Sequence, residues 1–178
     1  MTAATLIPGK TTEAELWFIA WSAQAVQCDG AYVELGCYQG RTTAAILDAI
    51  TGVLLSIDNF TYAPPSLGPS NQQTVCKHLG RLAGRWHCAV GDSTEVPAGI
   101  AEVAFLFIDT DHRAIVLNAE LDAWLPLMQP GSVIVLHDYC DRHPEMAPVI
   151  DQRLGGDLNW ERIGLEGATI AFRCGGPA

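Results

Sequence analysis

Basic side chains are scarce in this chain. Ten Lys and Arg stand against twenty Asp and Glu over 178 residues, a net charge of −10. Phosphate affinity is assembled from clustered Lys and Arg, so nucleic acid is not an expected partner. Cysteine pairing motifs are missing too: the six cysteines, at 28, 37, 76, 88, 140 and 174, are widely spaced and include no C-x-x-C. Several fall in apolar runs, where a free thiol behaves as a small hydrophobe; they are read as reduced, and the protein as cytoplasmic. The opening MTAATLIPGKTT lacks a basic region leading into an apolar core, so it does not read as a signal peptide. The apolar stretch LWFIAWSAQAV is too short to span a bilayer, and no membrane partner is expected. Internal repeats and low-complexity tracts are absent. What remains, 49% apolar and 17% charged residues, is a globular composition, and residues 1–178 are expected to form one domain.

Apolar runs alternate in kind along the chain. Thr12 and Glu15 have capping-box spacing ahead of an apolar helix expected to reach about Gln27. AYVEL reads as a first buried strand, GRTTAAILDAI as a helix and VLLSID as a second strand. TYAPPSLGPSN, rich in Pro, Gly and Ser, is expected to be a mobile loop. Then come the helix QQTVCKHLGRLA, the strands RWHCAV and VAFLFI, the helix RAIVLNAELDAWLPLM, the strand GSVIVL and the helix MAPVIDQRL. NWERIGLEGATIAFR has two strand-like runs around Glu166-Gly167 and reads as a hairpin. Uninterrupted apolar strands alternating with helices specify an α/β fold with a parallel sheet covered on both faces. In such sheets ligands bind at the carboxyl ends of the strands, so the polar residues just past each strand carry the functional weight.

At the first strand end, VELGCYQGRTT, Gly36 and Gly40 bracket a strand-to-helix turn where backbone can approach a ligand closely. Tyr38 stands where the dinucleotide pattern would have a middle glycine. Glu34 at the strand end would repel a pyrophosphate but suits an ammonium or sulfonium, as in S-adenosylmethionine (SAM). Asp58 ends the second strand, 22 residues after Gly36, a place where an acid accepts from ribose hydroxyls. Asp92-Ser93 ends the third strand and suits an adenine edge. The alternatives are turn roles for Asp58-Asn59 and a helix-capping role for Asp92.

Two strands end in acid: VAFLFI runs into Asp109-Thr110-Asp111-His112, and GSVIVL into His137-Asp138-Tyr139. Together with V-E-L-G-x-x-x-G-R-T-T, L-S-I-D, G-D-S and the exit L-D-A-W-L-P-L-M-Q-P-G, these strings resemble the class I SAM-dependent methyltransferases. The branch they are most similar to contains macrocin-type sugar O-methyltransferases and catechol O-methyltransferase-like enzymes. The resemblance spans nearly the whole chain. It implies a Rossmann-like three-layer sandwich whose mostly parallel seven-stranded sheet ends in an antiparallel hairpin. It implies SAM as cofactor, contacted by Glu34, Gly36, Tyr38, Gly40, Thr42, Asp58, Asn59, Asp92, Ser93 and Asp109.

The resemblance also makes the fourth and fifth strands neighbours. Adjacent carboxylates raise each other's pKa unless a cation neutralises them. The implied ligands of a divalent metal are Asp109, His137 and Asp138, with magnesium the first choice and manganese the alternative. Metal-dependent relatives carry an acid where this chain has His137, a ligand better suited to manganese, iron or zinc. His112 falls at the place of their general base, and imidazole titrates near neutrality. Asp109 and His112 are thus the expected catalytic residues, and Asp111 is expected to cap the following helix. The implied reaction is metal-assisted O-methylation of a small hydroxylated molecule, a sugar or a phenolic natural product. The alternatives are a metal-independent methyltransferase and a non-catalytic SAM- or nucleotide-binding module. The chain is short for the family, so an acceptor pocket completed by a second subunit, in a homodimer, is a further expectation.

Overall fold

In the computed structural model, which describes residues 2–175, the strands are β1 (Ala31–Leu35), β2 (Leu54–Asp58), β3 (Trp86–Val90), β4 (Val103–Ile108), β5 (Met128–Leu136), β6 (Trp160–Glu166) and β7 (Thr169–Cys174). The helices are α1 (Thr2–Leu6), α2 (Glu13–Gln24), α3 (Arg41–Ala49), α4 (Gln72–Leu79), α5 (Ala114–Trp124) and α6 (Met146–Ile150). Short 3-10 turns extend α4 and α5, and a wider π turn, Asp151–Gly155, extends α6. The seven strands form one sheet in the order β3-β2-β1-β4-β5-β7-β6. β1 to β5 run parallel, and β7 is antiparallel to both β5 and β6. This is the Rossmann-like architecture with a terminal hairpin.

Side-chain alternation divides the core between the two faces of the sheet. Phe105 and Phe107 of β4 pack with Leu16 and Ile19 of α2 and with Ala44 and Leu47 of α3. Leu106 and Ile108, one residue out of phase, pack on the other face with Leu117, Leu121 and Trp124 of α5 and Ile150 of α6. All six residues of β4 are buried, which is why the sequence shows an apolar run without polar interruption. Truncating Phe105 or Phe107 to Ala would cost about 3–5 kcal/mol.

Two boundaries depart from the sequence expectation. α2 ends at Gln24, and β5 begins at Met128, ahead of Pro130 and a register shift against β4. The segment expected to be a mobile loop is tied to the first strand end: Tyr38 donates to the Gly68 carbonyl at 2.6 Å and Gln39 to that of Leu67 at 2.9 Å. The Ser70 hydroxyl donates to the Tyr38 carbonyl. Among the described residues, no helix is long and apolar enough to cross a membrane.

Candidate active site

Strand register assembles the site. Leu35 is paired with Ile57 on one side and Ile108 on the other, and Ile108 with Leu136. The next residues, Asp58, Gly36, Asp109 and His137, therefore stand in one row along the carboxyl edge. Backbone bonds continue past the strands and hold the row: Gly36 N–H donates to Ile57 at 2.9 Å, Asp109 to Leu35 at 2.9 Å and His137 to Ile108 at 3.0 Å. Strands in a sheet lie about 4.8 Å apart, so a side chain from each can reach a common centre. The chain's direction of winding reverses between β1 and β4, the place where open α/β sheets form a ligand crevice.

Gly36 has φ +83°, and a Cβ there would stand 2.0 Å from the Asp109 carbonyl oxygen. The turn therefore passes directly against the end of β4 and admits no side chain. Gly40 has φ +89° with its would-be Cβ 2.9 Å from Val75, so close packing onto α4 sets that position. Tyr38, between them, takes a left-handed backbone (φ +47°) without being glycine. Asp58 explains how the turn holds this shape. Its Oδ2 accepts from the Cys37 and Tyr38 amides at 2.8 Å each, and its Oδ1 from Phe60 N–H at 2.6 Å. The turn role, one of the two alternatives for Asp58, is occupied. Asn59 is exposed and bonds the Thr61 amide and hydroxyl at 3.0 and 2.7 Å.

Glu34 corrects the sequence reading. Its side chain points into the sheet's helix-covered face and is fully buried. It accepts from Thr42 at 2.9 Å, Thr43 at 2.7 Å and Ser56 at 2.5 Å, while Trp86 donates to Ser56 at 2.8 Å. Burial pushes its pKa up to about 7, against the pull of those three hydroxyls. Neither Glu34 nor the Thr42 hydroxyl bonded to it reaches the crevice, so both support β1, α3 and β2 from within. A carboxylate at a strand end can face either way, and the alternation of the pleat turned this one inward.

The third strand end is split. Asp92 is exposed and closes a local turn, accepting from the Thr94 amide at 2.9 Å and hydroxyl at 2.7 Å, which lowers its pKa. Ser93 bonds inward to Glu120 of α5 at 2.5 Å. Thr110, beside Asp109, donates to the same Glu120 oxygen at 2.6 Å. Glu120 is fully buried and its other oxygen has no partner, and burial raises its pKa. It ties the loops after β3 and β4 to one point.

The densest electrostatics lie between β4 and β5. His112 Nε2 is 2.5 Å from Asp138 Oδ2 and 3.9 Å from Asp109 Oδ1. His137 Nδ1 is 3.2 Å from Asp138 Oδ2 and 3.7 Å from Asp109 Oδ1. Asp138 adopts φ +60°, a left-handed conformation that Asp and Asn tolerate better than other non-glycine residues. Asp109 and Asp138 hold His112 up, to about 10. Burial alone would lower His137, but Asp138, Asp109 and Glu15 outweigh it and raise it to about 9. Burial would raise Asp138, yet contact with His112 and His137 holds it far below the carboxylate range. Both imidazoles thus carry protons at neutral pH in this arrangement. Their buried Nε2 (His112) and Nδ1 and Nε2 (His137) make no well-formed hydrogen bond. One nitrogen and two carboxylate oxygens, from His137, Asp109 and Asp138, lie within 4.8 Å of one another. Asp111 does not cap α5. It pairs with Arg113 at 2.7 Å, and Glu145 accepts from the Ala114 amide at 2.8 Å in its stead.

A methyltransferase-domain family matches residues 33–139, from β1 through the residue after Asp138. The chain belongs to that family. This methyltransferase has the fold of solved O-methyltransferases. It aligns with the O-methyltransferase NovP at TM-score 0.75 and 17% identity, over 94% of this chain and 83% of that one. With the TDP-rhamnose 3'-O-methyltransferase of calicheamicin biosynthesis the TM-score is 0.63 at 17% identity, over 92% and 81% of the two chains. With TomG from Streptomyces achromogenes, an O-methyltransferase of tomaymycin synthesis solved in complex with SAM, it is 0.64 at 16% identity, over 94% and 82%. Comparison with curated proteins finds no match.

Two carboxylates of the methyltransferase escaped sequence reading as site residues. Glu15 completes the capping box of α2, accepting from the Thr12 amide at 2.8 Å. Its other oxygen accepts from the Ala168 amide in the β6–β7 turn at 2.8 Å and lies 3.6 Å from His137. The capping-box signal located Glu15, but its long-range partners have no sequence signature. Glu120 went unmarked in α5, because its place on the buried face shows only in the structure.

Proposed function

We propose that this protein transfers the methyl group of SAM to a hydroxyl of a small acceptor, assisted by a divalent cation. The observation that carries this reading is the row of Gly36, Asp109 and His137-Asp138 on adjacent strand ends, with His112 against both aspartates. The turn from Gly36 to Gly40 heads this row, its glycines packed against the Asp109 carbonyl and Val75, and the cofactor would approach its backbone there. Tyr38, Asn59, Asp92 and Ser93, just past the ends of β1, β2 and β3, would contact the cofactor. Asp58 acts by shaping the turn.

Asp109, His137 and Asp138 would hold the cation. Donors 3.2 and 3.7 Å apart suit an ion with bonds of about 2.1 Å, and the imidazole tilts the choice from magnesium toward manganese. When bound, such an ion lowers the pKa of an acceptor hydroxyl and orients it. The chain's own residues do the rest. The acceptor oxygen attacks the methyl carbon, the carbon–sulfur bond breaks, and the sulfonium leaves as a neutral thioether. His112 takes the hydroxyl proton once Asp109 and Asp138 are neutralised, since their charge is what keeps it protonated. Alignment of oxygen, carbon and sulfur supplies much of the rate.

A sugar or phenolic acceptor is proposed, the first in keeping with the TDP-rhamnose 3'-O-methyltransferase of like fold. Metal-independent transfer is the second reading, because Asp138 already has two imidazoles against it. A chelator titration separates the two: activity lost with EDTA and restored by manganese or magnesium is expected, and EDTA-insensitive turnover ends the metal reading. Asp109→Ala should abolish turnover while calorimetry finds SAM affinity within a few-fold of wild type. Preferential binding of NAD over SAM would overturn the methyltransferase mechanism altogether.

A further inference from the structure

Past Asp138 the chain winds back on itself. The Cys140 amide donates to the Asp138 carbonyl at 2.9 Å, His143 to Cys140 at 3.1 Å and Met146 to His143 at 3.0 Å. This tight path lays the His143 ring on that of His112, with centroids 3.9 Å apart and planes 36° from parallel. His143 Nε2 lies 3.6 Å from Asp138 Oδ1, and His112 Nε2 2.5 Å from Asp138 Oδ2. The three ligand atoms all fall within 4.8 Å of one another. The His112 nitrogen is buried without a hydrogen-bond partner, while the side chains of His112 and His143 remain 34% and 26% exposed. An ion could therefore reach the cluster from solvent.

We propose that His112, His143 and Asp138 form a second, nitrogen-rich cation site that takes a borderline transition metal of the zinc class. It shares Asp138 with the set of Asp109, His137 and Asp138 but differs from it in kind. Two imidazoles and one carboxylate are the donor set of tetrahedral zinc sites that keep a fourth position open, with bonds of about 2.0–2.2 Å. Two carboxylates and one imidazole favour harder ions. The loop after β5 thus gives one aspartate two possible ions of different chemistry. The consequence rests on the proposed function: an ion on His112 Nε2 removes that atom as a proton acceptor, so zinc opposes methyl transfer where manganese or magnesium supports it.

The test is a cobalt(II) titration of metal-free protein followed by visible d–d absorption, a readout that needs neither SAM nor acceptor. Its failure is therefore separate from failure of the methyltransferase reading. His143→Ala and His112→Ala are expected to weaken cobalt binding by at least about tenfold, the loss that even an outer partner of a ligand can produce. Asp109→Asn, which removes a ligand of the other set only, is expected to cost less cobalt affinity than His143→Ala. His143→Asn, with far-UV circular dichroism on every variant, separates ligand loss from misfolding. Wild-type cobalt affinity in folded His143→Ala, or equal losses in Asp109→Asn and His143→Ala, would overturn the proposal.

Discussion

His112 Nε2 and Asp138 Oδ2 stand 2.5 Å apart, although one belongs to the loop after β4 and the other to the loop after β5. The parallel pairing of Ile108 with Leu136 makes this possible, because it brings both strand ends level. The left-handed backbone at Asp138 then points its carboxylate between His112 and His137. A single aspartate so placed sets the charge state of both imidazoles.

Asp138→Asn should keep the fold, since Asn tolerates left-handed backbone, and lower turnover by at least about a hundredfold. It also has a signature in stability. His112 and His137 have folded pKa values raised to about 10 and about 9. Such groups stabilise fully below the unfolded histidine value of about 6.5 and lose that contribution as pH rises through the folded values. Metal-free wild type should therefore lose thermal stability between pH 6.5 and 10 relative to Asp138→Asn. Parallel curves for the two proteins would mean the ion pairs contribute nothing.

Gly36→Ala places a Cβ 2.0 Å from the Asp109 carbonyl at φ +83°. The left-handed strain alone costs about 1–2 kcal/mol, and relief of the clash must move the turn off the strand end. A lower denaturation midpoint and SAM affinity reduced by at least about tenfold, 1.4 kcal/mol, are expected in urea melts and calorimetry. Unchanged affinity would show that the cofactor does not approach at this turn.

Glu15→Ala removes the capping box of α2 and the tie to the β6–β7 turn together. Loss of a cap costs about 0.5–2 kcal/mol, and the freed Ala168 amide adds to it. Glu15→Gln, which still accepts hydrogen bonds, should recover most of the loss. Equal midpoints for the Ala and Gln variants would place the effect elsewhere.

Glu34→Gln tests the buried carboxyl. Its folded pKa of about 7 lies above the ordinary value of 4.5, so the folded state binds the extra proton across that interval. Stability from this group is greatest in acid and falls as pH rises from 4.5 to 7. The difference in unfolding free energy between wild type and Glu34→Gln should drift in that direction over the window. A flat difference would mean the carboxyl titrates alike folded and unfolded.

Much of the fold was legible because its signals are local. The capping box at Thr12 and Glu15, the strands AYVEL and VAFLFI, and the hairpin around Gly167 all fall where the sequence placed them. Their cause is periodicity and turn chemistry, which a few neighbouring residues carry. Asp111 was misread because an arginine two residues on competes for it and a distant glutamate takes the helix end. The stretch at 61–70 is a loop as composition placed it, but its bonds to Tyr38 and Gln39 have no local sequence signal.

By itself, the sequence determined that acid and histidine would gather at the carboxyl edge of a parallel sheet. Apolar runs cannot continue past the buried layer, and the residues just beyond them must meet solvent or ligand. Tertiary structure alone decided which of those groups face the crevice. Pleat direction sent Glu34 inward, backbone amides claimed Asp58, and long-range packing brought Glu15 to His137 and His143 to His112. Side-chain direction and non-local contact depend on the whole fold, and no window of sequence contains them.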